Sequence, residues 1–239
     1  MAAYDKPEYL SRALASIYRQ PISQTDDVEV IVVDDRSPND RNREVCGEFP
    51  RVRYVRVDGE PGYRNPARAR NVAYRQARGG VVICQSDDTV HISPDCIEML
   101  IADLTPGHFL IANVFNTDFS GKIVPGNLEN PEYASLTVYT GPTNPRPFFF
   151  LGSLFRKDLY AVGGNDEEFT APSYDDNWFA DCLMLGLGLK PVYSTRIVGH
   201  HLQHKHFGTQ ARTTPSRALY RRKHKEAVWQ ASGGPWKCE

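Results

Sequence analysis

Short apolar runs that repeatedly end beside paired carboxylates constrain this chain more than any other feature. EVIVVDD closes on Asp34-Asp35, VVICQSDD closes on Asp87-Asp88, and Asp175-Asp176 stand before the apolar run WFADCLMLGL. The β-branched run ahead of Asp34 is too short for a helix and predicts a strand buried on both faces, the usual state of a parallel strand. Carboxylates at the carboxyl ends of such strands lie where an open α/β sheet binds ligands. Paired acids also suit a divalent cation and the phosphates it neutralises. The pattern predicts chemistry on a nucleoside diphosphate.

Helical and extended periodicities alternate along the first hundred residues. Leu10, Ala13, Leu14, Ile17 and Tyr18 recur at helical spacing over 7–19, with Pro7 in the first turn and Pro21 as the stop. A strand over 28–33, turn residues from Asp34 to Asp40, a helix near 38–48, a strand at 52–57, a helix at 66–78 ending at Gly79-Gly80 and a strand at 81–84 complete an α/β half. A helix at 94–104 follows, then strands near 108–115 and 135–139 among loops rich in Gly, Pro and Asn. PFFFLGSLF reads as another buried strand, and 176–186 as a helix that starts at the paired acids, where carboxylates favour the helix dipole.

From Tyr4 to about His206 the chain resembles a family 2 glycosyltransferase of the GT-A fold. The segments that carry the likeness run in the family's order: AYDKPEYLSRALASIYRQ, VEVIVVDDRSPND, NPARARNVAYRQARGGVVICQSDD, FFFLGSLFRKDLYAVGGNDEEF and YDDNWFADCL. The resemblance implies a mostly parallel central sheet flanked by helices. It also implies a GT-A domain over 1–206, with a nucleotide-binding half at 1–104 and an acceptor and catalytic half at 105–206, followed by a basic segment at 207–239. GT-A domains begin with a buried strand ahead of the loop that Ala3 and Tyr4 match. Here only three residues precede Tyr4, so that strand is expected to be missing: either the chain is a fragment, the preferred reading, or another segment fills the slot.

The resemblance implies that Ala3 and Tyr4 line the base pocket of a donor nucleotide, that Asp35 accepts a hydrogen bond from a uracil ring nitrogen, and that Arg70, in the segment Ala69-Arg70-Asn71, reaches the nucleotide. Arg64, Arg68, Arg75 and Arg78 lie nearby and read equally as solvated face. Ser86-Asp87-Asp88 stands in the place of the family's D-x-D motif, with Asp88 assigned to a divalent metal (Mn²⁺ or Mg²⁺) and Asp87 to the ribose or a second metal contact. His200-His201 fall where several GT-A enzymes place a histidine metal ligand. The pair cannot be separated by sequence, and His204 and His206 are further candidates. Asp176 matches the general base of inverting members and Asp175 an auxiliary that orients the acceptor. Trp178 is either a sugar-stacking face or core. The bland alternatives are a turn role for Asp34 and Asp35 and a helix cap for Asp87.

Composition narrows the class. A chain of 239 residues with 41% hydrophobic content can bury a core, and no apolar run approaches the roughly 20 residues of a membrane span. Five cysteines without a C-x-x-C pair make a poor disulfide framework, which points to a reducing, cytoplasmic setting. The net charge of −1 hides an asymmetry: Arg196 to Lys225 holds eight Lys/Arg and no acid, together with five of the seven histidines. Such a stretch suits an anionic partner, either the donor or a nucleic acid or anionic glycan. The expected activity is metal-dependent, inverting transfer from a nucleoside diphosphate sugar, in particular a UDP-sugar, to a hydroxyl acceptor. A retaining transferase on the same fold and a non-catalytic polyanion-binding module are the rivals, and the second leaves the acid pairs without a purpose.

Overall fold

The computed structural model describes residues 1–62, 65–125, 137–147, 149–204 and 210–237. Strands β1 (Ala2–Ala3), β2 (Val30–Asp34) and β3 (Val52–Arg56) form a parallel sheet in the order β1-β2-β3. Every residue of β2 is buried because helices cover both of its faces. Val30 and Val32 pack with Leu10, Leu14 and Ile17 of α1 (Pro7–Tyr18), whereas Ile31 and Val33 pack with Ala69 and Ala73 of α3 (Ala67–Gln76). Alternation along the strand sorts its side chains between the two helices. Helix α2 (Arg41–Gly47) lies between β2 and β3 in sequence.

The slot expected to lack a strand holds a two-residue one. Ala2 pairs with Val33 and Ala3 with Asp34, the Met1 carbonyl accepts from the Val33 amide at 2.9 Å, and the Met1 ammonium donates to the Ile31 carbonyl at 2.7 Å. Among the described residues β1 pairs with β2 alone, and no ladder joins this sheet to the second.

The second sheet runs β4 (Val81–Gln85), β8 (Leu151–Phe155), β6 (His108–Thr117), β9 (Lys190–Leu202), β5 (Thr89–His91), with β7 (Val138–Thr140) paired to β6. Parallel pairing is retained between β6 and β9; the other pairs of this sheet are antiparallel. Helices α4 (Cys96–Ala102), α5 (Arg156–Val162), α6 (Asp175–Asp181) and α7 (Gln210–Glu226) complete the fold. The helix expected over 176–186 is α6 continued by a wider π turn, Cys182–Gly186. Trp178 and Phe179 of α6 enter the largest core cluster with Phe109, Ile111, Phe149 and Leu154.

Residues 210–237, the described part of the basic segment expected over 207–239, pack on this same core. Leu219, Tyr220, Trp229 and Trp236 lie against it, and the Trp236 amide donates to the Tyr160 carbonyl at 2.8 Å. The Gly163-Gly164 turn admits the tail: both glycines have positive φ, and a methyl on Gly164 would overlap the Trp236 ring and Asn71 Oδ1.

Candidate active site

The loop after β2 divides the work of its two acids. Asp34 serves the turn, accepting from the Ser37 amide at 2.7 Å and from Asn42 Nδ2 at 2.9 Å. Asp35 accepts from Arg36 Nη2 at 2.7 Å, while its own amide donates to the Ala3 carbonyl at 2.9 Å. Asp87 meets the same loop from the other side, because the Tyr4 amide donates to its carboxylate. Ala3, Tyr4, Asp35 and Asp87 therefore converge at the end of β1. Burial pushes the Asp87 carboxyl up to about 6, with Lys6 opposing that rise and Asp88 adding to it.

Asp88 lies at the centre of a buried polar cluster that pairing between β5 and β9 assembles. Thr89 stands opposite His201, and the Leu202 amide donates to the Asp88 carbonyl at 2.9 Å, so β9, paired with the strand that follows the acid, brings the histidine to it. His201 Nε2 lies 3.6 Å from Asp88 Oδ1, and His204 Nε2 lies 2.9 Å from Asp88 Oδ2. Asn116 Oδ1 lies 3.1 Å from His201 Nδ1 and fixes the orientation of the ring, as the outer partner of a metal-bound imidazole does, with Nε2 turned toward Asp88. One ligand atom each from Asp88, His201 and His204 lie within 4.8 Å of one another. A carboxylate with two imidazoles suits Mn²⁺ and other first-row divalent ions. Burial would raise the Asp88 carboxyl, but the charges of Lys6, His201 and His204 hold it well below the ordinary range.

His201 is 2% exposed and joins this cluster, whereas His200, the neighbour it could not be told from, does not. Successive side chains of a strand face opposite ways. His204, one of the further candidates, joins the cluster instead. Arg64 and His206 lie outside the described residues. Lys6, which carried no expectation, donates to Asp88 Oδ2 at 2.7 Å and has His204 Nε2 at 3.0 Å. Its only sequence signal was a cation two residues after Tyr4.

The second acid pair is held by an arginine. Arg70 Nη1 donates to Asp176 Oδ1 at 2.6 Å and to Asp175 Oδ2 at 3.1 Å. Arg70 was expected on the nucleotide; in the structure it links α3 to the acids that open α6. Although burial works against the guanidinium, Asp176 and Asp175 raise its pKa further. Asp175 is pushed up to about 6 by burial and by the Asp176 charge, with Arg70 opposing. Two consecutive residues with positive φ, Ser173 and Tyr174, precede the pair, a strained entry of the kind found at functional sites. Asn71 clamps the neighbouring turn: its Nδ2 donates to the Asn165 carbonyl at 2.8 Å and its Oδ1 accepts from the Asn165 amide at 2.8 Å. Trp178 is 1% exposed and packs against Trp229 at 5.4 Å between centroids, so it is core and offers no sugar-stacking face.

Much of the basic charge of 196–225 is used within the chain. Arg196 pairs with Asp103, Arg217 donates to the Tyr174 hydroxyl, Arg222 pairs with Glu168 and Glu226, and Lys223 pairs with Asp166 and Glu168. Cys46, Cys84, Cys96 and Cys182 are free and buried. Among the described residues no helix is long and apolar enough to cross a membrane.

The sequence model of Glycosyl transferase family 2 matches residues 1–162. The chain belongs to that family. Solved structures similar to this family 2 chain have the GT-A fold. A mannosyltransferase from Pyrobaculum calidifontis, in complex with GDP-Man and Mn²⁺, superimposes with a TM-score of 0.62 at 20% identity, over 94% of this chain and 62% of that one. GalNAc-T7 with UDP, GalNAc and Mn²⁺ gives 0.66 at 14% identity, over 95% of this chain and 48% of that one. TarS 1-349 of S. aureus in complex with UDP gives 0.56 at 17% identity, over 94% and 70%. The chain thus spans less than two thirds of the length of the first two. Comparison with curated proteins gives no match.

Proposed function

We propose that this family 2 chain is a glycosyltransferase that moves a sugar from a nucleoside diphosphate donor, a UDP-sugar, to a hydroxyl acceptor, with a divalent metal and inversion at the anomeric carbon. The observation that carries this reading is the Asp88–His201–His204 cluster, with Asp88 and His201 buried, placed beside the loop where Tyr4 meets Asp87. Complexes of similar structures with GDP-Man and Mn²⁺, and with UDP, GalNAc and Mn²⁺, support it. Asp88, His201 and His204 would hold the metal, Mn²⁺ or Mg²⁺, which supplies Lewis-acid stabilisation of charge on the departing diphosphate.

The chain's own residues do the rest. The β1 loop, with Ala3, Tyr4, Asp35 and Asp87, takes the nucleoside. Asp176 accepts the acceptor hydroxyl's proton as that oxygen bonds to the anomeric carbon and the bond to the diphosphate oxygen breaks, the electron pair leaving with the nucleoside diphosphate. Arg70 fixes the Asp176 carboxylate by donating to its Oδ1, while Asp175 orients the acceptor.

The test is a panel of nucleotide sugars, followed by donor hydrolysis and thermal stabilisation with and without Mn²⁺. A UDP-sugar with Mn²⁺ should raise the melting temperature, since a ligand bound only by the folded state stabilises it by mass action. A panel in which no nucleotide sugar does so would overturn the proposal.

A further inference from the structure

Lys6 stands where an incoming cation must stand. Its Nζ lies 2.7 Å from Asp88 Oδ2 and 3.0 Å from His204 Nε2, atoms of two of the three residues that form the metal cluster. The carboxylate it pairs with is 3% exposed, so that charge needs a cation close by whether or not a metal is bound. The Lys6 side chain itself is 21% exposed and carries a long stem that can swing. It ends the loop in which the Tyr4 amide holds Asp87, and the Tyr9 ring lies 5.7 Å from its ammonium.

We propose that Lys6 is the resident counter-cation of this cluster, competing with the divalent ion for Asp88 and passing to the donor's diphosphate as the ion enters. The inference rests on the metal-dependent reading above. An ammonium and a divalent ion sharing one carboxylate oxygen repel each other strongly at partly desolvated distances. A diphosphate brings enough negative charge to accept the displaced ammonium through charge-assisted hydrogen bonds. Metal and donor would then each favour the other's binding by the same factor, as linkage requires.

The decisive comparison measures Mn²⁺ binding without nucleotide, then UDP binding at saturating Mn²⁺, in the parent and in Lys6→Gln. Lys6→Gln should bind Mn²⁺ about tenfold more tightly and UDP about tenfold more weakly, the scale of a single close charge. A residue that merely supports the fold would not move the two affinities in opposite directions. Unchanged or weaker Mn²⁺ binding in Lys6→Gln, with the parent binding Mn²⁺ normally, overturns the role of Lys6 alone. Tighter Mn²⁺ binding with unchanged UDP affinity overturns the transfer to the diphosphate. If neither protein binds Mn²⁺ at millimolar concentration, the metal reading of the site falls and this inference with it. Should Lys6→Gln fail to fold, amine labelling of Lys6 in the unaltered protein answers the same question by mass spectrometry: slow alone, faster with Mn²⁺, slow again with Mn²⁺ and UDP. Labelling that ignores Mn²⁺ overturns the proposal.

Discussion

Arg70 donates to Asp176 at 2.6 Å, so the arginine expected at the nucleotide and the acid expected as base form one ion pair. Both side chains are 15% exposed, enough shelter for the pairing to hold geometry and enough opening for a substrate to reach the carboxylate. If Asp176 is the base, Asp176→Asn should retain UDP affinity while transfer falls by about 10² or more. Titration calorimetry alongside a transfer assay separates the two effects. Donor affinity lost in equal measure would move Asp176 out of the base role.

Asp175 carries a cost that the pair imposes. Its folded pKa is raised from 3.8 to about 6, so folding takes up a proton in that window, and the stability it contributes below pH 4 is lost as pH rises toward 6. Asp175→Asn removes the penalty and leaves Arg70 paired with Asp176. The variant should be more stable than the parent above pH 6, by on the order of 1 to 3 kcal/mol, and less active. Denaturant midpoints across pH 4 to 7 check the sign; a variant less stable than the parent at pH 7 contradicts it.

Asp88 offers the direct test of the metal cluster. Asp88→Asn removes the carboxylate that His201, His204 and Lys6 surround. The gain in melting temperature that Mn²⁺ and UDP give together should disappear, while any gain from UDP alone persists. An undiminished gain would place the metal elsewhere.

The α/β half was legible because its signals are local. Leu10, Leu14 and Ile17 show the helical period, and the run before Asp34 reads as a buried strand. Short or polar elements were not legible. β5 is three residues inside an acidic loop, α5 has only seven residues directly after a strand, and α7 carries internal Pro215 and a largely polar face. At the site, residue types were readable and pairings were not. Asp88 and a histidine were expected together, but choosing His201 over His200 required the register of β9 against β5, and His204 lies beyond the end of β9. Arg70 reaching across to α6 is a contact between residues 106 apart, which no local pattern encodes.

His91 makes a pH dependence of the opposite sign. It is buried between Gln20 and Gln85, with Nδ1 2.6 Å from Gln20 Nε2 and Nε2 2.8 Å from Gln85 Oε1, an arrangement that fits only the neutral ring. Burial and then the Arg19 charge lower its pKa from 6.5 to about 4. Stability is fully present above pH 6.5 and is lost as pH falls through about 4, by on the order of 3 kcal/mol. Because Asp175 runs the other way between pH 4 and 6, the effect is read as a difference. The gap in stability between the parent and His91→Gln should narrow as pH falls from 7 to 4. A gap independent of pH would show that His91 keeps an ordinary pKa.

Lys223 shows that the basic C-terminal helix is part of the fold. Its Nζ lies 2.7 Å from Asp166 Oδ2 and 2.9 Å from Glu168 Oε2, and it donates to Ser232 Oγ at 2.8 Å. The Asp166 side chain is fully buried and Lys223 is 8% exposed, so this one cation ties α7 and the tail to the turn that Asn71 clamps. Removing one partner of a buried pair leaves the other charge uncompensated, a loss of about 3 to 5 kcal/mol. Lys223→Met should therefore lower the melting temperature sharply, and adding Asp166→Asn should recover much of the loss because both charges then go together. The coupling energy from that double-mutant cycle is the measurement. If the two substitutions simply add, the pair is not what holds α7 in place, and the aromatic packing of Tyr220 and Trp229 must do so instead.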